Sequence, residues 1–236
     1  MRMNFSDERV LAITAHPDDA ELLCAGALLR AREEGAQTAI CIMCNGDKGQ
    51  TTPAVDNLAA LRAEEAAASA QFLGAQLFLL GLPDSLLQED EKTRLALVRV
   101  FRKFRPTLVL AHAPGDYHSD HRAAFALAEA ASWQCASTGL ETDLPPVAAQ
   151  PALWLMDTVE MLGFTPGFFI DITDQWEKKQ KSLEFHATQL SRGKQSGFSA
   201  LQEMQARQAT TRGAQAGVRA AEAFQLYLAF KRTCAF

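Results

Sequence analysis

Short apolar runs alternate along the chain with longer segments of helical periodicity. The runs that predict strands cover residues 10–15, 38–44, 76–82 and 107–111. The segments that predict helices cover residues 20–34, 57–73, 91–104 and 119–133. Repeated β-α units of this length are typical of a parallel sheet with crossover helices on both faces. The pattern therefore predicts an α/β, Rossmann-like three-layer fold with a mostly parallel sheet.

The alternation continues after a loop at residues 139–151, which contains three prolines. The stretches PALWLMDTVE and GFFIDIT have strand-like patterning, whereas residues 174–189 and 198–215 are predicted to be mostly helical, with the loop SRGKQSG between them. A chain of 236 residues with 48% hydrophobic residues can bury one large core. We therefore expect a single domain over residues 1–236.

The charge balance is acidic, with a formal net charge of −5. Nucleic acids and anionic membranes select clustered positive charge, so neither is an expected partner. The helix TRLALVRVFRKFR could be cited for nucleic-acid binding, but we interpret its Arg94, Arg99, Arg102 and Lys103 as a solvated face. The N-terminus lacks the apolar core of a signal peptide, and no apolar run approaches the roughly 20 residues that span a bilayer. We expect a cytoplasmic protein with a small-molecule substrate.

The five cysteines are a poor basis for a disulfide framework, because they are odd in number and scattered: Cys24, Cys41, Cys44, Cys135 and Cys234. Cys41 and Cys44 form a C-x-x-C within a predicted strand, but no second pair completes a four-thiolate zinc site. We interpret them as reduced packing residues; metal or redox chemistry at the C-x-x-C is the alternative.

Polar residues are concentrated directly after the first predicted strand, in AITAHPDDAELLCAG. No G-x-G-x-x-G follows that strand, so a dinucleotide is not the expected ligand. A second concentration, AHAPGDYHSDHRAA, follows the fourth predicted strand and contains His112, His118 and His121. Open α/β sheets bind ligands outside the carboxyl ends of their strands. We therefore expect the two segments to meet in one crevice.

Two imidazoles and one carboxylate are a common catalytic zinc set that leaves a fourth position for water. His16 and Asp19, three residues apart, can point at one ion, and His121 can supply the third bond from the other segment. Asp18 is then left over. A carboxylate beside an activated water suits a general base, since it can take the proton as the water attacks.

His118 precedes His121 by one helical turn, and an imidazolium there could stabilise an oxyanion. Asp120 could orient one of these two rings. Taken alone, HPDD could be an ordinary helix start and Ser119-Asp120 an ordinary helix cap. Their placement after two strands of one sheet favours a shared site. We interpret His112 as structural or as support for a ligand, and His186 as a partly buried helical residue.

The segments AHPDDAEL and DYHSDHRAA resemble the two signature motifs of the PIG-L/LmbE-like zinc-dependent deacetylases, which remove the N-acetyl group from N-acetylglucosamine-containing substrates. The similarity extends to LRAEEAAASAQFLGA, GLPDSLL, FFIDITDQWEKKQKSLEFHATQ and GVRAAEAF. The tail is most similar to the branch that acts on glucosaminyl-malate in bacillithiol-type biosynthesis. The resemblance implies a role for each of seven residues: His16, Asp19 and His121 bind metal, Asp18 is the base, His118 binds the oxyanion with Asp120 as its partner, and Arg62 contacts the substrate.

The resemblance also implies Zn²⁺, or another divalent metal such as Fe²⁺, and a homo-oligomer, since hexamers are known in the family. Two positions depart from the common motifs: Ala20 stands where glutamate usually follows the two aspartates, and Ser119 stands where proline is usual. Neither change removes a predicted ligand or base.

The predicted reaction is hydrolysis of an N-acetylated amino sugar to acetate and a free amine. The alternatives are a metal-dependent amidase for a thiol conjugate and a non-catalytic sugar- or nucleotide-binding α/β protein. The polar loop GDKGQTTPAVDN, after the second predicted strand, is expected to be a lid, a contact to the sugar or a plain surface loop.

Overall fold

The computed structural model describes residues 5–50, 54–193 and 200–229. The strands are β1 (Arg9–Thr14), β2 (Gln37–Cys44), β3 (Gln76–Leu82), β4 (Leu108–Ala111), β5 (Ala152–Met156), β6 (Phe168–Asp171) and β7 (Ala221–Leu226). The helices are α1 (Asp19–Leu23), α2 (Ala25–Glu33), α3 (Leu58–Leu73), α4 (Glu91–Phe104), α5 (Ser119–Gln134), α6 (Trp176–Leu183), α7 (Ala187–Gly193) and α8 (Leu201–Ala216). Parts of the predicted loops GDKGQTTPAVDN and SRGKQSG lie outside the described residues.

The seven strands form one sheet in the order β3-β2-β1-β4-β5-β7-β6. The neighbours from β3 to β5 are parallel, whereas β7 is antiparallel to both β5 and β6. The chain runs from β1 outward to β3 and then crosses to β4 on the other side of β1. The prediction of a mostly parallel three-layer α/β sheet is confirmed.

Two buried clusters of apolar side chains cover the two faces of the sheet. Alternate residues of a strand point to opposite faces, so Val10 and Ala12 of β1 belong to one cluster, and Leu11 and Ile13 to the other. The first cluster includes side chains from α1, α2, α3, α6 and α8, and the second includes side chains from α4 and α5. The segment after β1 therefore leads to one face and the segment after β4 to the other, which opens a crevice between them at the carboxyl edge.

The helix predicted over residues 20–34 is broken at Cys24 into α1 and α2. Cys24 has a φ of −147°, outside the helical region. In an unbroken helix the N–H of Gly26 would donate to the carbonyl of Leu22. Here that N–H donates to the Glu222 carboxylate instead. The break is thus set by a residue far along the sequence, and helical periodicity does not reveal it.

Strand β7 was not predicted, because the last third of the chain was expected to be mostly helical. Its sequence, AEAFQL, carries two alanines and a buried glutamate, Glu222. This composition does not resemble the β-branched and aromatic pattern that indicates a strand. The strand is stabilised by its pairing with β5 and β6 on either side.

Arg102 is buried, so its prediction as part of a solvated face was wrong. Its guanidinium donates hydrogen bonds to the carbonyl oxygens of Cys135, Ser137 and Leu144. A guanidinium has five N–H donors in a fixed planar arrangement, so it can bind several carbonyl oxygens of one loop at the same time. Arg102 therefore fastens the segment after α5 to α4.

The cysteines of the described segments, Cys24, Cys41, Cys44 and Cys135, are free and buried. Cys41 and Cys44 pack in the same apolar cluster. Within residues 5–50, 54–193 and 200–229, no helix is long and apolar enough to cross a membrane.

Candidate active site

The polar segments that follow β1 and β4 lie together at the carboxyl edge of the sheet. His121 Nε2 is 3.3 Å from Asp19 Oδ1, and the rings of His16 and His118 are 4.7 Å apart between centroids. The crevice at this point is also lined by Asp18, which follows β1, and by Arg62 on α3. Residues of the loops after β2 and β3 complete the lining. The side chains predicted from the two motifs thus share one site.

The turn that carries the two aspartates has an unusual backbone. Asp18 has a φ of 102°, a left-handed conformation that is uncommon for residues other than glycine. The main-chain N–H of His16 donates to Asp19 Oδ2 at 2.7 Å and closes the turn. This turn brings His16 and Asp19 together on the same side of the crevice.

Two carboxylates determine which nitrogen of His16 carries a proton. Its Nε2 lies 3.1 Å from Asp120 Oδ2 and 3.2 Å from Asp84 Oδ1. An ionised carboxylate only accepts hydrogen bonds, so the proton belongs on Nε2. The lone pair of Nδ1 is then free on the side of Asp19, whose Oδ2 is 3.6 Å away.

The same logic applies to His121 with its nitrogens exchanged. Its Nδ1 lies 3.0 Å from Asp116 Oδ2, so the proton belongs on Nδ1 and the lone pair of Nε2 points toward Asp19. Burial disfavours a charged ring, but Asp19 and Asp116 outweigh it and raise the pKa of His121 to about 9. Burial likewise opposes the charged form of His16, yet the carboxylates around it raise its pKa well above the ordinary value.

These residues fit a divalent cation. Two imidazole lone pairs and a buried carboxylate converge, and a dication would replace the protons that the surrounding negative charge attracts to the rings. Among the residues that the structure describes, three groups of side chains bring their ligand atoms within 4.8 Å of one another: His16, His118 and His121; Asp19, His112 and His121; and His16, Cys44, Asp84 and Asp120. The predicted ligands His16, Asp19 and His121 are distributed over the first two of these groups.

The contacts of His118 favour a neutral hydrogen-bond donor over the imidazolium that the sequence suggested. Its Nδ1 accepts the main-chain N–H of Asp120 at 3.2 Å, at the start of α5, which leaves the proton on Nε2. Burial and the nearby rings of His16 and His121 lower the pKa of His118, which disfavours its charged form.

Asp120 was expected to orient His118 or His121 through its carboxylate. The carboxylate instead contacts His16 and accepts the main-chain N–H of Ser85 at 2.7 Å. Its link to His118 is through the backbone. The difference arises because the loop after β3 supplies a donor to the Asp120 carboxylate that sequence spacing could not reveal.

Asp18 is buried in the crevice beside Asp19. Burial, together with the negative charge of Asp19, raises the pKa of Asp18 to about 7, although His186 and Arg62 act in the opposite direction. A carboxylate with such a pKa can accept and return a proton near neutrality.

Arg62 is buried on α3 and lines the crevice with Asp18. Its Nη2 donates to the carbonyl of Gly49 at 2.9 Å and to the side chain of Gln189. Gly46, with a φ of +73°, passes so close that a Cβ there would collide with the guanidinium. Arg62 is therefore fixed between the loop after β2 and α7.

Two site residues, Asp84 and Asp116, were not predicted from the sequence, whereas His112 was predicted to be structural or to support a ligand. Asp84 lies 3.2 Å from His16 Nε2, and Asp116 lies 3.0 Å from His121 Nδ1. One residue separates Asp84 from the end of β3, at the edge of the sheet where functional side chains are common. His112 stacks on His121 at 4.0 Å, and its Nε2 accepts the N–H of Ala15. Burial lowers the pKa of His112 to about 4, which keeps it neutral.

His186 is more buried than expected, and Cys44 has a contact with the site that the sequence did not indicate. His186 is fully buried between α6 and α7, and its Nε2 lies 3.3 Å from Glu21 Oε2. Cys44 packs in the core as expected, but its Sγ is also 3.9 Å from Asp120 Oδ2, at the edge of the site.

The family model described as PIG-L, GlcNAc-PI de-N-acetylase, matches residues 11–132, which is more than half of the chain and includes both polar segments. The chain belongs to the PIG-L family. Diacetylchitobiose deacetylase of Thermococcus kodakarensis is 30% identical over 199 residues, covering 78% of this chain and 72% of that protein. The 4-oxalmesaconate hydratase of Pseudomonas putida KT2440 is 28% identical over 196 residues, covering 79% of this chain and 76% of that protein.

Solved structures similar to this PIG-L chain carry the same two kinds of name. GalB, the 4-carboxy-2-hydroxymuconate hydratase of Pseudomonas putida KT2440, superposes with a TM-score of 0.82 at 26% identity, over 97% of this chain and 99% of that chain. N,N'-diacetylchitobiose deacetylase of Pyrococcus horikoshii superposes with a TM-score of 0.80 at 26% identity, over 94% of this chain and 85% of that chain. The PIG-L fold is thus found in proteins named for different reactions.

Replacing Asp116 with alanine in this PIG-L protein is expected to weaken zinc binding by about 10- to 100-fold. The reason is that His121 Nδ1 loses the carboxylate 3.0 Å away that fixes its proton and its orientation. Zinc affinity would be measured by competition with a chromophoric chelator. Asp143→Ala is the matched control, because Asp143 is an exposed partner of Arg99. Equal affinities in the two variants would contradict this role for Asp116.

Proposed function

We propose that the protein is a divalent-metal-dependent hydrolase that removes the N-acetyl group from an N-acetylated amino sugar. The observation that carries the proposal is the convergence of His16 Nδ1 and His121 Nε2 on Asp19, beside the buried carboxylate of Asp18. Membership of the PIG-L family supports the same reaction.

The metal would be held by His16, Asp19 and His121. The chemistry that a divalent cation such as Zn²⁺ supplies there is polarisation of the amide carbonyl and activation of water near neutral pH. Two imidazoles and a carboxylate are a donor set that zinc accepts readily, and Fe²⁺ accepts it as well.

Asp18 is the proposed general base. It takes a proton from water as the water oxygen bonds to the acetyl carbon, and it returns that proton to the nitrogen as the C–N bond breaks. The products are acetate and the free amine. The pKa of about 7 lets one carboxylate perform both transfers.

His118 is the proposed donor to the developing oxyanion. Because its Nδ1 is occupied by the main-chain N–H of Asp120, its Nε2–H is the group that remains available to the substrate. A neutral N–H can stabilise negative charge on the carbonyl oxygen without first being protonated. Arg62 is the proposed contact to the sugar, held in place by Gly49 and Gln189.

The proposed substrate is a small glycoside of N-acetylglucosamine. Relatives of this chain include the diacetylchitobiose deacetylase and a 1D-myo-inositol 2-acetamido-2-deoxy-alpha-D-glucopyranoside deacetylase of Corynebacterium efficiens, which is 26% identical over 229 residues. The glucosaminyl-malate conjugate of the bacillithiol-type branch stays a prediction and belongs among the compounds to be tested.

Hydration of an unsaturated carboxylic acid is a second candidate. The chain and the GalB hydratase cover almost the whole of each other, whereas the deacetylase of Pyrococcus horikoshii is covered only over 85% of its length. Lys48 and Arg62 both line the crevice, and two cations suit a substrate with more than one carboxylate. This candidate keeps the same metal-binding residues but needs no leaving amine.

One panel of substrates separates the two candidates. Protein loaded with Zn²⁺ or with Fe²⁺ is incubated with N,N'-diacetylchitobiose, with the inositol and malate glycosides of N-acetylglucosamine, and with 4-carboxy-2-hydroxymuconate. Release of acetate and primary amine in equal amounts from any glycoside supports the deacetylase. Loss of the ultraviolet absorbance of the muconate, with no amine released from any glycoside, would overturn the deacetylase in favour of the hydratase.

His118→Ala is expected to retain metal at the wild-type level and to lower kcat by about 10²- to 10³-fold, the usual cost of removing one oxyanion donor. His118→Gln, which keeps an N–H donor, should recover part of the loss. Metal content and steady-state kinetics would be measured for both. A His118→Ala protein that has lost its metal would instead identify His118 as a ligand, because its nitrogen lies within reach of His16 and His121.

A further inference from the structure

Lys179 on α6 and Glu222 on β7 form a buried ion pair that the proposed reaction does not use. Neither residue lines the crevice. Charged side chains are rarely buried unless they are paired, and a buried pair is by itself weak support for stability. The groups that this pair contacts indicate a different role.

Both side chains bind the backbone at the junction of α1 and α2. Lys179 Nζ donates to the carbonyl of Leu22 at 2.8 Å, and the Glu222 carboxylate accepts the N–H groups of Gly26 at 2.8 Å and Ala27 at 2.7 Å. The carbonyl at the end of α1 and the N–H groups at the start of α2 thus find partners outside their own helices. The ion pair holds the break between the helices.

A third side chain contacts the same short helix. Gln205 on α8 donates its Nε2 to the carbonyl of Glu21 at 2.9 Å and also approaches the carbonyl of Lys179 at 3.2 Å. Side chains of α6 and α8 therefore donate to the last carbonyls of α1, and the β7 carboxylate accepts the first N–H groups of α2. These contacts come from segments in the last third of the chain, far in sequence from Asp19.

Helix α1 needs such support. It has five residues, all buried, and it begins at Asp19, directly after Asp18. One turn of helix is not stable alone, because nucleation fixes several residues for very few hydrogen bonds. The left-handed backbone of Asp18 adds strain at the same place. The positions of both aspartates therefore depend on what holds the other end of α1.

We propose that Lys179, Glu222 and Gln205 are positioning residues that set the place of Asp18 and Asp19 by holding the C-terminal end of α1. The part of the proposal that concerns metal rests on the proposed function, whereas the part that concerns the backbone does not. A merely stabilising ion pair would affect the melting temperature and leave residues 16–24 as well ordered as before in the folded protein.

The test uses the double variant Lys179→Met/Glu222→Gln, which removes both charges and leaves one acceptor oxygen for the two N–H groups of α2. Lys178→Met is the matched control, since Lys178 is the neighbouring residue and its ion pair with Glu33 is exposed. Hydrogen–deuterium exchange is measured without metal, followed by zinc affinity. Relative to the control, we expect the double variant to exchange faster in residues 16–24, with a smaller change in β4. We also expect it to bind zinc about 10- to 100-fold more weakly than the control does. Unchanged exchange at 16–24 overturns the proposal, whatever happens to the melting temperature.

Gln205→Leu keeps the proposal testable if the double variant does not fold. It removes one neutral hydrogen bond to Glu21 and leaves the ion pair intact, so the same local increase in exchange is expected at smaller amplitude. Exchange that rises evenly over the whole chain would overturn the proposal. If the variants show the local change while the metal-loaded wild-type protein releases no amine from any glycoside, the positioning role stands and the deacetylase is refuted.

Discussion

Asp18→Asn is expected to keep its metal and to lower kcat by about 10²- to 10⁴-fold. The amide preserves the shape of the side chain and can still hydrogen-bond to water, but it cannot accept a proton. Its neutral charge also relieves the repulsion from Asp19 that contributes to the raised pKa of the native carboxyl. Metal content by atomic emission and steady-state kinetics on the active glycoside would test this. An Asp18→Asn protein with wild-type kcat would rule out Asp18 as the base.

Asp19→Asn is expected to lose metal affinity by more than about 10²-fold, and activity with it. The carboxylate of Asp19 contacts His16, His112 and His121. The substitution therefore removes the negative charge that lies beside the imidazole nitrogens proposed to bind the cation. Excess zinc should restore part of the activity, since the two histidines still offer ligands. Titration with zinc, following both binding and turnover, measures the rescue.

The two aspartate variants control for each other. The two substitutions are at adjacent positions, and each replaces one carboxylate oxygen with an amide nitrogen. Only Asp19→Asn should respond to added zinc. A protein with Asp18→Asn that lacks metal and recovers with zinc, beside one with Asp19→Asn that holds metal and stays inactive, would mean that ligand and base are exchanged.

Sequence reasoning predicted the elements that are determined locally. Strand β3 and helix α4 begin and end where the pattern placed them, at Gln76–Leu82 and Glu91–Phe104. Their apolar periodicity lies within each element, and the residues that begin and end it are its immediate neighbours in the sequence. The break at Cys24 and the strand Ala221–Leu226 were missed, because both depend on partners from distant parts of the chain.

The candidate site divides in the same way. The motifs identified His16, Asp18, Asp19 and His121 as residues that could share one crevice, because sheet topology brings the ends of β1 and β4 together. The orientation of each ring could not be predicted. It depends on Asp84 and Asp120 for His16, on Asp116 for His121 and on a main-chain N–H for His118, and these contacts exist only in the folded chain.

The order of the last strands in the sheet bears on how the chain is made. Strand β6 lies at one edge and pairs, among the described strands, with β7 alone, although β7 is synthesised after it. While residues 221–226 are still inside the ribosome, Phe168–Asp171 has no neighbouring strand and one side of β5 is uncovered. Such exposed edges attract other chains. A polypeptide released before residues 221–226 emerge would therefore present unpaired strand edges that are open to proteolysis and to aggregation.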